Sequence, residues 1–340
     1  MRQLILKMLT DILNGGIWAS IRFYEYLLAL GTGTILGGMI YFMDYKKISK
    51  YSLLIYMIGI ILNSYCCFIS QDNDTEILYA ILPFYAISFI GFINQINNKR
   101  SNVIKTILLS AISLVFLRKN SGSTGLVVSG FLGMTYLIII TAKILLNSKR
   151  NKIKYIAILW AIPILILGNH AYEMRKVRLE TSGPSGWQIA KNELISSAEV
   201  FGTVNDPRRN SNDTTAADYI NSHYELYSFL GQYGWVVSIG MTLACILLSV
   251  KLIINAINIK DRYGKLIVIA IASIYILQAA SNFRMTFARV GALTDAPIPL
   301  VTFGTIGIFV NMLCMALVLS VYREKNINCE IEERGVAIEC

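Results

Sequence analysis

Charge is what this 340-residue sequence has least of. Asp, Glu, Lys and Arg together make up 15% of it, against roughly 25% in an ordinary soluble domain. Hydrophobic residues supply 55%, and mean hydropathy is +0.54. A water-soluble globular domain is excluded, and the chain reads as an integral membrane protein. Metal-ligand spacing is also lacking. The six cysteines are Cys66, Cys67, Cys245, Cys314, Cys329 and Cys340. Four lie in or beside apolar runs and two in the C-terminal tail, so they read as small buried hydrophobes and tail thiols, with no zinc site and no disulfide framework. No internal repeat and no low-complexity tract is present. The net charge of +10 invites a nucleic-acid partner, but the excess sits in short loops between apolar runs, where topology accounts for it and nucleic acid is not needed.

What is present is a succession of apolar runs. Residues 4–13, LILKMLTDIL, place Lys7, Asp11 and Asn14 on one helical face, the pattern of an interfacial amphipathic helix, and Gly15-Gly16 ends it. Spans are expected at 23–43, 51–69, 77–96, 103–117, 123–146, 155–169, 226–256, 266–283 and 296–322, judged against the roughly 20 apolar residues that cross a bilayer. The fold expected is therefore all-α and polytopic, with about nine transmembrane helices. It divides into a segment 1–22, a membrane domain 23–322 with one long polar loop at 170–225, and a polar, mobile tail 323–340.

Cations sort to alternate loops. One set holds Lys46, Lys47, Lys50, Lys99, Arg100, Lys105, Lys149, Arg150, Lys152, Lys154, Lys260, Arg262, Lys265, Arg323 and Lys325. The other set holds Arg118, Lys119, Arg284 and Arg289, and the acidic stretch 71–76, in its short loops. The positive-inside rule puts the C-terminus in the cytoplasm and the loop 170–225 outside. An odd number of spans leaves residues 1–22 outside as well.

The long loop carries most of the candidate chemistry. Arg175, Lys176 and Arg178 form one basic cluster, Arg208 and Arg209 a second. At an outer membrane surface such groups grip phosphate oxygens, Arg by its fork and Lys as a point charge. A diphosphate-linked lipid needs this arrangement; a solvated loop, or one resting on anionic headgroups, has it too. Trp187 and Gln188 follow a Gly-Pro-Ser-Gly turn and open a short amphipathic stretch, which equally suits a re-entrant or interfacial helix. His223 and Glu225 stand just before the span that starts near Leu226. Either is a candidate general base for a sugar hydroxyl, and an exposed interfacial histidine is also ordinary. Within the bilayer, Gln278 and Asn282 lie one helical turn apart, as amides that glue helices do. Pro297 and Pro299 break the backbone before the last span, and a break there requires cover from protein or a water-filled cavity, so this stretch reads as a packed cavity wall.

At 296–307, APIPLVTFGTIG, the chain resembles the SEDS family (shape, elongation, division, sporulation; FtsW, RodA and SpoVE), whose last span opens with a pattern like PLPFxSYGGSS. Pro297, Pro299, Thr302, Phe303 and Gly304 stand in those places. Asp44-Tyr45-Lys46-Lys47 resembles the family's DYRR, Ser185-Gly186-Trp187-Gln188 its SGYQ, Phe201-Gly202 the end of its GLFG, and residues 222–235 its DFIFA stretch ending in Gly-Trp. Gln278 and Asn282 match polar positions of the penultimate span. The resemblance runs from about residue 23 to 322. It implies a multi-pass protein of the bacterial cytoplasmic membrane, used in division, elongation or sporulation, that polymerises peptidoglycan from lipid II or another undecaprenyl-diphosphate glycan beside a class B penicillin-binding protein. It also implies ten spans, so the family's first is missing here. No cofactor is implied, although a divalent cation is compatible with a diphosphate. There are departures. The family's loop aspartate falls on His223, its PDLGT is Asn120-Ser121-Gly122-Ser123-Thr124, and its paired glycine is Thr305. Three readings stay open: a peptidoglycan glycosyltransferase rebuilt around Glu225, a non-catalytic scaffold for a penicillin-binding protein, and a transporter or ligase for a lipid-linked glycan. The last lacks the paired intramembrane charges of an ion path.

Overall fold

The computed structural model describes residues 17–68, 75–95, 100–119, 122–147, 198–201, 225–287, 298–299 and 305–333. Among them the regular structure is all helical: α1 Ile17–Phe42, a 3-10 helix Tyr45–Tyr51, α2 Ser52–Phe68, α3 Thr75–Asn94, α4 Arg100–Lys119, α5 Gly122–Asn147, α6 Glu225–Ile257, α7 Arg262–Phe287 and α8 Thr305–Glu333. Six of the described stretches are long and apolar enough to cross a membrane. The expected segment 4–13 and span 155–169 lie outside the described residues.

The helices are built for a lipid solvent, and α2 shows why. Ser52, Tyr56, Gly59 and Asn63 turn inward at spacings of four, three and four, which is one stripe of a helix. Its outward residues are Leu53, Leu54, Met57, Ile58 and Ile61, all exposed. A helix that hides hydroxyl and amide groups and exposes its hydrocarbon would be unstable in water and is stable in a bilayer. The same inversion holds in α4, where Thr106 and Ser113 are buried and Ile104, Ile107, Leu108 and Val115 are exposed. So α4 shows the same lipid-facing pattern, although it is not one of the six stretches above.

Two helices form the centre. In α3, 83% of the Ile77–Asn94 window is buried, and in α7, 67% of Arg262–Phe283, whereas the other candidate spans are 28–39% buried. Tyr79, Tyr85, Ile81, Leu82 and Ile90 of α3 and Tyr275 of α7 are wholly enclosed. Polar contacts tie the periphery on: Tyr56 Oη donates to the Leu109 carbonyl at 2.9 Å, and the Ser113 and Tyr136 hydroxyls stand 3.0 Å apart. α1 and α8 run parallel. A Cβ added at Gly33 would meet Met312, and one at Gly37 would meet Ala316, so the residues pair in rising order along both helices.

One end of the bundle gathers the loops that the charge pattern assigns to one side. Tyr45 Oη donates to Asp261 Oδ2 at 2.9 Å, Ser320 Oγ to the Met43 carbonyl at 2.8 Å, and Lys143 Nζ to the Ile93 carbonyl at 2.8 Å. Gln95 Nε2 donates to the Ser49 carbonyl. Lys46 pairs with Glu324 at 3.8 Å. α5 finishes at this end, and so does α6, which returns to it at Ile257. The chain therefore leaves α5 at one end and enters α6 at the other.

Three boundaries differ from expectation. α1 starts at Ile17, directly after Gly15-Gly16, so the membrane helix takes residues 17–22 from the expected N-terminal segment; nothing in IWASIR breaks a helix. The last helix is described from Thr305, and Ile298–Pro299 ahead of it are not helical, since a proline cannot donate to a helical ladder. It then continues through Glu333, so the first part of the expected mobile tail is helical. No glycine or proline interrupts residues 323–333.

Candidate functional site

α6 carries the functional geometry. It is one helix in outline but contains a break at Gly234, with φ 82° and ψ −175°. This extended, positive-φ conformation is essentially open only to glycine. The break divides a leading piece, Glu225–Tyr233, from a membrane piece, Trp235–Ile257. A helix that restarts leaves its first N–H groups without intrahelical partners. Here they are met from the long loop: Trp235 N donates to the Glu199 carbonyl at 3.0 Å and Val236 N to the Val200 carbonyl at 3.2 Å. Ser238 Oγ donates back to the Gly234 carbonyl at 3.0 Å. The stretch Glu199–Phe201 is thus strapped across the break.

Further along, α6 presents Ser238, Thr242, Cys245, Ser249, Leu252 and Ala256 inward at alternating steps of four and three. Small residues at this spacing allow close approach, and the irregular chain before α8 uses the room. Ile298 and Pro299 are buried, Ile298 packs with Cys245 and Ala279, and Cys245 Sγ donates to the Pro299 carbonyl at 3.3 Å. Cys245 lies eleven positions past Gly234, about 16 Å along a helix axis. Non-helical backbone therefore stands well inside the span, covered by α6 and α7. Gln278 and Asn282, on either side of Ala279 in α7, are also buried.

Glu225 is the first residue of α6, Gln278 and Asn282 are buried in α7, and Pro299 is buried ahead of α8. Arg175, Lys176, Arg178, Trp187, Gln188, Arg208, Arg209, His223, Pro297, Thr302 and Gly304 lie outside the described residues. Among the described residues no three of His, Cys, Asp and Glu group as a metal site. Two features escape the sequence reading. The break at Gly234 was hidden because the hydrophobic run passes through it; the Gly-Trp pair is its one local mark. The Cys245 contact with Pro299 joins positions 54 apart, and only the stripe of small residues on α6 signals a close partner.

These elements define a class: an all-α, polytopic membrane fold with a buried non-helical segment and a strap on a broken helix. No family model matches the chain, and no curated protein matches its sequence. Solved structures do. A chain of a peptidoglycan synthase complex, described for its structural coordination of polymerization and crosslinking, is similar with a TM-score of 0.62 and 14% identity, over 96% of this chain and 98% of that one. The rod shape determining protein RodA of Thermus thermophilus gives 0.54 and 14%, over 90% and 88%. A mutant of that protein gives 0.54 and 14%, over 90% and 89%. The fold is that of RodA, the SEDS fold.

Proposed function

We propose that the chain is a SEDS-type protein of bacterial cell-wall synthesis, seated in the cytoplasmic membrane with the loop 170–225 outside. The observation that supports this most is the extent of the likeness: both chains are covered almost end to end in the match to the peptidoglycan synthase complex. A fold alone does not carry a function, and the added support is local. In sequence, the stretches that resemble the family's loop and last-span motifs include Phe201 of the strap, Gly234 at the break in α6 and the buried Ile298–Pro299.

In this reading the substrate is lipid II or another undecaprenyl-diphosphate glycan. Arg175, Lys176, Arg178, Arg208 and Arg209 hold the diphosphate, with Trp187 and Gln188 lining the approach. Glu225 or His223 takes the proton of the attacking sugar hydroxyl as its oxygen bonds to the anomeric carbon, and the bond from that carbon to the diphosphate breaks. The cations stabilise the charge that develops on the leaving diphosphate. A divalent cation at the diphosphate would assist in the same way. A class B penicillin-binding protein is the proposed partner, because the similar chain belongs to a complex that joins polymerization to crosslinking.

Purified full-length protein supplied with lipid II, with and without such a partner, tests the reading by the appearance of polymer. Glu225→Gln with His223→Ala should reduce turnover by about 10²-fold or more; undiminished activity in the double variant removes both residues from the mechanism. One observation favours a second reading, a non-catalytic scaffold: His223 stands where the family keeps an aspartate. Binding of the partner without any polymer from the wild-type chain would favour the scaffold.

A further inference from the structure

The strap and the break in α6 form one joint, and its dependence on residue type is lopsided. The two strap contacts are main chain to main chain, while Val200 and Phe201 expose 61% and 67% of their surface. The strap's side chains are therefore free to vary. Position 234 is not. A Cβ there would stand 2.7 Å from the Glu199 carbonyl oxygen, 2.9 Å from that of Val200 and 3.1 Å from Phe201 Cα. All three are backbone atoms, which yield only if the strap leaves, and the φ of 82° disfavours any side chain independently.

On the other side of the break the leading piece Glu225–Tyr233 is held by Leu230, which is wholly buried. Glu225 lies nine positions before Gly234, a lever of about 14 Å in a helix. A change of about 10° at the break moves its far end by about 2 Å, and misplacement by about 1 Å costs up to about 10²-fold in rate. We infer that Gly234 and the main chain of Glu199–Phe201 form a clamp that positions the Glu225 end of α6 relative to the membrane piece. They are positioning elements, not catalytic residues. The positioning of chemistry rests on the proposed role of Glu225; the clamp itself does not.

The test uses the full chain in nanodiscs, its native cysteines replaced by alanine, with Val200→Cys and Val236→Cys introduced across the strap. A main-chain hydrogen bond keeps the two residues adjacent, and a short bifunctional maleimide spans the two thiols without the strict Cβ geometry that a disulfide needs. The reagent should crosslink the pair. Gly234→Ala should cut the yield about tenfold, and Glu199→Ala or Phe201→Ala should not change it. Equal crosslinking with alanine at 234 overturns the clamp. Deleting Glu199 and Val200 provides a second route if Gly234→Ala does not fold: hydrogen exchange at Trp235 and Val236 should then accelerate, and unchanged exchange overturns the clamp equally. In the lipid II assay Gly234→Ala should lower kcat about tenfold with KM within about twofold, a split that loss of folded protein does not produce in kcat per active site. If the wild-type chain makes no polymer, the enzymatic reading fails and the crosslink still decides the clamp.

Discussion

Tyr45, Asp261 and Gly264 show how much the joint at the cytoplasmic end, as the charge pattern assigns it, depends on single atoms. Asp261 Oδ2 accepts from Tyr45 Oη at 2.9 Å and from Gly264 N at 2.7 Å, so one carboxylate both caps α7 and holds the 3-10 helix. Tyr45 stacks on Tyr263 with ring centroids 6.3 Å apart. A Cβ at Gly264 would lie 2.9 Å from Val321 Cγ1 and 3.0 Å from Tyr45 Oη. Tyr45→Phe leaves the cap intact and should cost about 1 kcal/mol. Gly264→Val meets two packed neighbours at once and should cost about 1–3 kcal/mol. Thermal unfolding in detergent ranks the two, and a smaller loss for Gly264→Val than for Tyr45→Phe would refute the packing argument. Part of this joint was legible: Asp44-Tyr45-Lys46-Lys47 stands out in the sequence. Its partner did not, since Asp261 is 216 positions away and no periodicity links them.

At the scale of elements, the positions of the helices were legible because lipid makes hydrophobicity a direct record of burial depth. Eight of the expected spans coincide with α1 to α8; most ends move by a few residues, and the largest change is at the far end of α8, which runs on to Glu333 because no glycine or proline interrupts residues 323–333. Which face turns inward was less legible, because both faces are apolar and the distinguishing residues are serine, threonine and glycine. α6 tests the assignment. Ser249 is buried, its hydroxyl donating to the Cys245 carbonyl at 2.8 Å, while Leu247 is 66% exposed. Ser249→Leu should overpack the contact with α7 and lower stability by about 1–3 kcal/mol, and Leu247→Ala should be close to neutral. The reverse order in thermal unfolding would mean that the faces are exchanged. The α1–α8 contact makes a similar demand. A Cβ at Gly33 meets the flexible end of Met312 at 2.7 Å, and one at Gly37 meets Ala316 Cβ at 3.4 Å. Alanine should be tolerated at both, whereas Gly37→Leu should separate the helices and lower the melting temperature.

For the whole molecule, the deciding relation is that α1 and α8 are parallel, which requires an odd number of crossings from one to the other if every helix spans. α5 and α6 finish at the same end, so the chain changes ends between them, where the sequence expects the span 155–169. The exposed cations Lys46, Lys47 and Lys50 mark the end at which the loops gather, and the strap on Gly234 marks the other. Those facts fix relative sides; the absolute side is the one proposed from the charge bias. It follows that a cysteine placed at position 2 (Arg2→Cys) and one placed in the long loop (Asn205→Cys) should react with a membrane-impermeant maleimide added to intact cells, and that Lys47→Cys should react only after permeabilisation. Labelling of position 47 without permeabilisation would invert the topology and put the basic loop on the wrong face for an outer diphosphate. Protection of position 2 together with reaction at 205 would instead leave the strap and its loop outside and require one more crossing ahead of α1.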